Sequence, residues 1–346
     1  MLIGSLQKGG RVLAVDTQYA YAVGKIRALE KRLLDRSRME RMIDARSPEE
    51  ALKVLLEAGY ESGSDDYSDV YEYESLLKNE QLKVYMLLKS IAPEPEVFDI
   101  FLFQNDYHNI KVLLKAEFLD QNCDYMLIDT GTIPVAELKK MIGERDLTRM
   151  TKTMRNAVEE SIDVFNRTND PQDIDIILDR ASFQQMQEYA ASSGYKFVFE
   201  LVQLMTDLTN IKIFLRGRST GKKWDSLQKI LLPGGSIDKR VFIENLEGTL
   251  ESFVSFIKSK PYGSICVDGI ENFNSTGSLS KFERLTDNYV MSYIKKAKYV
   301  ALGIEPLIAY LWAKENEIKN ARIIMVGKIN NISSEVIRER LRETYV

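Results

Sequence analysis

An asparagine followed by a small or aliphatic residue and then a basic one occurs three times along this chain, and the spacing of the copies constrains the fold more than any other feature. Asn109-Ile110-Lys111 returns as Asn210-Ile211-Lys212 after 101 residues and as Asn320-Ala321-Arg322 after a further 110. An acidic residue stands three positions before each asparagine: Asp106, Asp207 and Glu317. Copies one and three agree over a longer span at a shift of 211, which lays Glu94-Pro95 on Glu305-Pro306, Val97 on Ile308 and Asn105 on Asn316. Copy two lacks the Glu-Pro start. Its Leu204, Leu208, Ile211 and Leu215 nevertheless match Phe103, Tyr107, Ile110 and Leu114, at the i, i+4, i+7 and i+11 steps of one helix face. A period of about one hundred residues exceeds that of solenoid units, which cannot bury a face alone. Each copy is therefore long enough for a small core of its own. The expectation is an all-α chain of three similar helical domains, over residues 1–120, 121–220 and 221–346, in a pseudo-threefold funnel with a central concavity.

Helical periodicity is continuous enough to support that fold class. Tyr19, Val23, Ile26, Leu29, Leu33 and Leu34 mark a long first helix, and Ser47-Pro48-Glu49-Glu50 supplies the cap, proline and early carboxylates that open a second. Further helices are expected over Tyr73–Ile91, from Glu96 to about Leu119, Val135–Met141, Thr148–Asn166, Gln172–Ala190, Tyr195–Arg216, Lys239–Lys258, Ser280–Val300, Pro306–Gly327 and Ser334–Glu343. Glu61–Asp69 reads as a loop. Gly217–Lys223 and Pro233-Gly234-Gly235 bracket a short segment expected to be exposed and mobile.

Composition removes several functional classes. The 346 residues carry a net charge of −4, so no overall positive field favours nucleic acid. Cys123 and Cys266 have no Cys-x-x-Cys or Cys/His companion, which speaks against a structural zinc site or a disulfide framework and for a reducing cytoplasm. Met1–Gly10 does not read as a secretory signal, and no stretch reaches the run of roughly 18 apolar residues that a membrane span needs.

The residues that invite a chemical reading are better explained by structure. His108 is the only histidine; without a nucleophile and an orienting group beside it, a catalytic triad has no basis. Gly217-Arg218-Ser219-Thr220-Gly221-Lys222-Lys223 glances at a phosphate loop, but its second glycine comes one residue early and Lys223 stands where a hydroxyl belongs. Glu159-Glu160 and Asp173/Asp175 have no ligand loop around them. The basic Lys25–Arg46 segment is expected to be a solvated face laced by i, i+4 pairs. An asparagine inside a helix costs about 0.7 kcal/mol against alanine. Asn109, Asn210 and Asn320 are therefore expected to act as structural clamps, each amide holding a loop or helix end. Lys111, Lys212 and Arg322, two positions on, are candidate partner-interface residues; a solvated helix face is the other reading.

Taken in order, Tyr19-Ala-Tyr-Ala-Val-Gly-Lys-Ile-Arg-Ala-Leu-Glu30, Asp106-Tyr-His-Asn-Ile-Lys111, Asp207-Leu-Thr-Asn-Ile-Lys212, Gly303-Ile-Glu-Pro-Leu-Ile-Ala-Tyr-Leu311 and Ile318-Lys-Asn-Ala-Arg-Ile-Ile-Met-Val-Gly-Lys328 resemble the C subunit of V-type (A/V-type) ATP synthases, the counterpart of the eukaryotic d subunit. The likeness covers nearly the whole chain, except that the second repeat lacks the Glu-Pro start. It implies a non-catalytic rotor component, without cofactor, seated on the membrane ring of proteolipid subunits and receiving the central stalk made by subunits D and F. It also implies a cytoplasmic location, peripheral to the membrane through that ring. Two readings of other classes remain: a helical scaffold unconnected to a rotary motor, and a helical enzyme using Lys222 or Lys223 on phosphate.

Overall fold

The computed structural model describes residues 17–60 and 70–346. The Met1–Gly10 start and the Glu61–Asp69 stretch lie outside the described residues. Among the described residues, every regular element is helical. Two compact units form: Glu96–Phe282 makes one, and the segments up to Pro95 and from Glu283 together make the other.

In the discontinuous unit the helices are α1 (Ala20–Glu30), α2 (Arg36–Asp44), α3 (Pro48–Glu57) and α4 (Tyr73–Ile91), then, from the far end of the sequence, α15 (Glu305–Ile329) and α16 (Ser334–Arg340). The first helix stops at Glu30, and Asp35 starts a separate one by accepting from Arg38 N at 2.8 Å. The basic segment thus carries a buried stripe, Met39, Met42 and Ile43, beneath its arginines. Ser47 accepts from Glu50 N, and the Glu50 carboxylate accepts from Arg46 N at 2.8 Å, so both ends of that cap are satisfied. Helix α15 packs against α1, α2, α3, α4 and α16. Its burial on nearly every side, from Leu307 to Met325, follows from that central position.

The continuous unit holds α5 (Asp99–Phe118), α6 (Val135–Glu144), α7 (Lys152–Thr168), α8 (Pro171–Ser192), α9 (Lys196–Ser219), α10 (Trp224–Ile230), α11 (Lys239–Glu244), α12 (Leu250–Lys258) and α13 (Gly263–Thr276). Helix α14 (Ser280–Ile294) begins at the end of this unit, but from Glu283 on it belongs to the discontinuous unit, where it passes into a 3-10 turn over Lys295–Tyr299. Helix α8 lies against α5, α7 and α9.

Besides the first helix, which was expected to run on to Leu34, three readings need correction. The segment expected to be exposed and mobile after Lys223 is helix α10, because Leu227 and Leu231 are fully buried and anchor it. The single helix expected over Lys239–Lys258 is broken at Asn245–Thr249, where Arg218 donates to the carbonyls of Asn245, Leu246 and Gly248 at 2.6–2.7 Å. Helix α13 was not expected at all. Its Gly269 allows the backbone of Phe282 to approach where a methyl would meet it at 3.0 Å.

Candidate functional site

The three repeated helices are α5, α9 and α15, and each asparagine does the same thing. Asn109 Nδ2 donates to Ile128 O at 2.8 Å while Ile128 N donates to Asn109 Oδ1 at 2.8 Å. Asn210 makes the same pair with Leu232, at 3.0 and 2.8 Å. Asn320 makes it with Arg342, at 3.0 and 2.9 Å. All three side chains are buried. A side-chain amide offers one donor and one acceptor face, like a peptide group, so a residue clamped this way has both backbone groups satisfied inside the protein.

The acidic residue one turn earlier holds the segment just beyond the clamped loop. Asp106 accepts from Thr132 N at 3.0 Å, Thr132 Oγ1 at 2.6 Å and Ile133 N at 3.1 Å, directly ahead of α6. Asp207 accepts from Ser236 N and Oγ, from Ile237 N at 3.2 Å and from the Tyr262 hydroxyl at 3.1 Å, directly ahead of α11. Glycine precedes the hydroxyl residue in both copies, since a methyl on Gly131 or Gly235 would collide with the carboxylate. Burial raises the Asp106 carboxyl above its ordinary value, against the opposing pull of those donors.

In the third copy the acid is Glu317, and the backbone it caps comes from the other end of the sequence. Its Oε2 accepts from Leu34 N at 2.6 Å, and Leu34 directly precedes the Asp35 cap of α2, the place that Ile237 and Asp238 hold before α11. Its Oε1 accepts from the Tyr60 hydroxyl at 2.6 Å and from Lys314 Nζ at 2.8 Å, and Lys314 also pairs with Glu80 at 2.7 Å. Burial pulls the Lys314 ammonium down, but the charges of Glu317 and Glu80 outweigh it and hold the group above its ordinary value. The same neighbourhood pushes the Tyr60 hydroxyl up, through burial first and Glu317 second.

The ends of the repeated helices also coincide. Asp120, Gly221 and Asn331 all take the left-handed conformation, with φ of 48°, 64° and 53°. The next residue's N–H returns to Ala116, Gly217 and Gly327 respectively, at 3.0, 2.9 and 2.8 Å, which is a Schellman cap made three times. In copies two and three the chain then turns into a short helix that seats an aliphatic side chain on the glycine: a methyl on Gly217 would meet Leu227 at 2.9 Å, and one on Gly327 would meet Ile337 at 2.6 Å. Copy one differs. Its clamp spans 19 residues where the others span 22, and only the 3-10 turn Asp124–Met126 remains.

Two of the basic residues that stand two positions after an asparagine have partners within their own unit. Lys111 pairs with Asp179 at 2.6 Å, and Arg322 donates to both oxygens of Glu74 at 2.7–3.2 Å. Lys212 is half-buried and likewise engaged. His108 is half-exposed and contacts Met126 O through Nε2 at 3.0 Å. The glycine-lysine stretch from Gly217 to Lys223 forms the C-terminus of α9 and the turn beyond it, so carbonyls rather than N–H groups end the helix there. Asp175 pairs with Lys115 at 2.6 Å, and Asp173 accepts from Thr168 at 3.0 Å. No group of three or more potential metal ligands occurs among the described residues, and no described helix is long and apolar enough to cross a membrane.

The sequence pattern Gly-Thr/Ser-Ile, at Gly131–Ile133 and Gly235–Ile237, is a repeat that constant-shift comparison misses. The three-residue shortening in copy one moves it out of register with the asparagines. Ala116, Gly217 and Gly327 keep register but carry no signal until the seated side chain is seen.

Comparison with known proteins places these features in one family. The model of the ATP synthase (C/AC39) subunit matches residues 22–340. The C subunit of the V-type sodium ATPase of Enterococcus hirae is 30% identical over 320 residues, which is 92% of this chain and 97% of that protein. The C subunit of the A-type ATP synthase of Methanocaldococcus jannaschii is 25% identical over 342 residues, 93% of this chain and 86% of that one. That of Thermococcus kodakarensis is 24% identical over 346 residues, covering 96% and 93%. The matched span takes in all three asparagine helices and excludes little beyond the two ends, so the chain belongs to the ATP synthase (C/AC39) subunit family, a component of a rotary motor rather than an enzyme in its own right.

Proposed function

We propose that this protein is the connector of such a motor, joining the central shaft made by subunits D and F to the membrane ring of proteolipid subunits and carrying torque between them. The observation that supports this reading best is the reciprocal asparagine clamp built three times. A coupler must not yield internally under load, and buried, fully paired polar groups fix one packing arrangement where apolar contacts alone tolerate several. The repeat units, each centred on α5, α9 or α15, are the building blocks of this proposal. Lys212, in the continuous unit, and Arg322, in the discontinuous one, are the residues that contact the shaft, an apolar centre with a charged surround being the general form of a protein interface.

The test is binding of the purified chain to the D–F shaft and to the proteolipid ring, measured separately. Both should bind, and reversing charge at Lys212 together with Arg322 should weaken the shaft arm only. Arg322 already holds Glu74, so a companion variant combining Arg322→Glu with Glu74→Lys keeps an internal pair. Loss of shaft binding in both variants supports an interface role. Recovery in the companion reduces Arg322 to an internal brace. Failure of the wild-type chain to bind either assembly would leave a free-standing scaffold as the better reading.

A further inference from the structure

Helices α15 and α16 leave a groove between them that the repeat itself does not require. Ile337 seats on Gly327, and beside that contact a cavity of about 170 Å³ is lined by Ile323, Val326, Ile332 and Ile337, with Arg322 and Arg340 completing the wall. Among the described residues no carboxylate lines it. Val326 is 39% exposed there. At the shift of 110 that lays Asn210 on Asn320, Val326 and Ile332 fall on Arg216 and Lys222, and Arg340 falls on Ile230. Copy two thus closes the same helix-on-glycine contact with charged residues, the stem of Lys222 lying within 4.0 Å of where a methyl on Gly217 would stand. Packing of the short helix does not explain the apolar wall in copy three. A binding role does.

Size and charge together define the occupant. An apolar cavity of about 150 Å³ admits a ring the size of benzene, whereas small-molecule pockets begin at about 300 Å³. The groove therefore suits one leucine- or phenylalanine-sized side chain and is too small for a free metabolite. Arg322 commits Nε and Nη2 to Glu74, which leaves its Nη1 available. Arg340 is exposed, and the bond it makes to Arg342 runs through its carbonyl, so its guanidinium is open to a partner. A carboxylate is the group that such planar forks pair with best. We propose that the groove receives one large apolar side chain from an acidic segment of the shaft, whose carboxylate meets Arg340 and the open side of Arg322. This rests on the proposed shaft contact at Arg322 and gives that contact its chemistry, an apolar anchor in a pocket flanked by charge. Because copy two presents charge at the matching positions, the groove also lets the shaft tell one repeat from another.

The test follows association and dissociation of the full chain with the purified D–F shaft. Val326→Trp fills the groove with an indole and should speed dissociation about tenfold or more. Arg340→Glu should mainly slow association and flatten its dependence on salt. Val336→Trp adds the same bulk at an exposed position of α16 outside the groove and should bind as wild type does. Thermal midpoints accompany each measurement; if Val326→Trp lowers the midpoint, Val326→Ser, which removes apolar wall without adding bulk, decides in its place and should also speed dissociation. A photoreactive phenylalanine at position 326 should crosslink to a shaft peptide in which a large apolar residue lies within one helical turn of an Asp or Glu. Reversing that acid to Lys should restore binding to Arg340→Glu. Failure of the wild-type chain to bind the shaft defeats the shaft contact proposed above. Wild-type binding that either groove variant leaves unchanged defeats only this inference. So does equal weakening by Val336→Trp, a crosslink to another copy of this chain, or a crosslink to a shaft segment without a carboxylate.

Discussion

A side-chain amide costs a helix something wherever it sits, so three of them in equivalent buried positions imply a return, and the reciprocal pairs with Ile128, Leu232 and Arg342 are that return. Asn210→Leu leaves the N–H and C=O of Leu232 buried and unpaired, and should destabilise the continuous unit by about 1–3 kcal/mol per orphaned group, read as a lowered denaturant midpoint with unchanged slope. Lys314→Met strands Glu80 and Glu317 together. It should cost about 3–5 kcal/mol near neutral pH. In the wild type, a lysine held above its ordinary value contributes stability that is complete below about pH 10.4 and disappears as pH climbs through the folded-state value. Thermal midpoints of both proteins from neutral to alkaline pH check this. Burial pushes the Cys266 thiol up to about 12, whereas Cys123 is half-exposed. A thiol reagent should therefore modify Cys123 in the native protein and reach Cys266 only on unfolding, as mass spectrometry would show. At this scale the asparagines and their preceding acids were legible because they keep register. Gly131 and Gly235 were not, because their role depends on a carboxylate 25 or more residues away in sequence and on a shift in spacing that the asparagines do not share.

Arg218 carries the clearest element-level prediction. Its guanidinium satisfies three carbonyls at the break between α11 and α12, so Arg218→Ala should cost about 1–3 kcal/mol and speed amide exchange across residues 239–258 while α5 and α8 stay protected. Lysine should rescue poorly, since a single ammonium cannot reproduce the planar fork. The same contact explains why Lys239–Lys258 reads as one helix: the periodicity on either side of Gly248 is genuine, and the agent that divides it is distant in sequence. Elsewhere local signals sufficed. Tyr73–Ile91 runs between the limits that its apolar period and the prolines after it set, and Asp170-Pro171 opens α8 by the usual cap and proline. Helix α10 is hidden by the glycines that flank it, which suggest loops, and α13 carries Gly263 and Gly269 inside it; yet Gly217 and Gly269 serve close packing, under Leu227 and Phe282.

For the whole molecule, the division into a continuous and a discontinuous unit sets what can fold alone. Residues 96–282 expressed by themselves should unfold cooperatively, monitored by calorimetry, whereas residues 283–346 alone should not, because the buried faces of α15 belong to α1, α2, α3 and α4. The all-α class was readable throughout. That the third repeat borrows its capped segment from the start of the chain was not, since nothing local in Leu34 points to Glu317 across 283 residues.

That borrowing has a consequence for biosynthesis. A ribosome delivers α1 to α4 first, then the whole of Glu96–Phe282, and only at the end the helix around which the earlier four must gather. Folding during synthesis proceeds in the order in which segments emerge. The middle of the sequence is therefore finished while Leu34, Tyr60 and Glu80 still wait for Lys314 and Glu317, and the early helices are the part of a nascent chain that a chaperone would find uncovered.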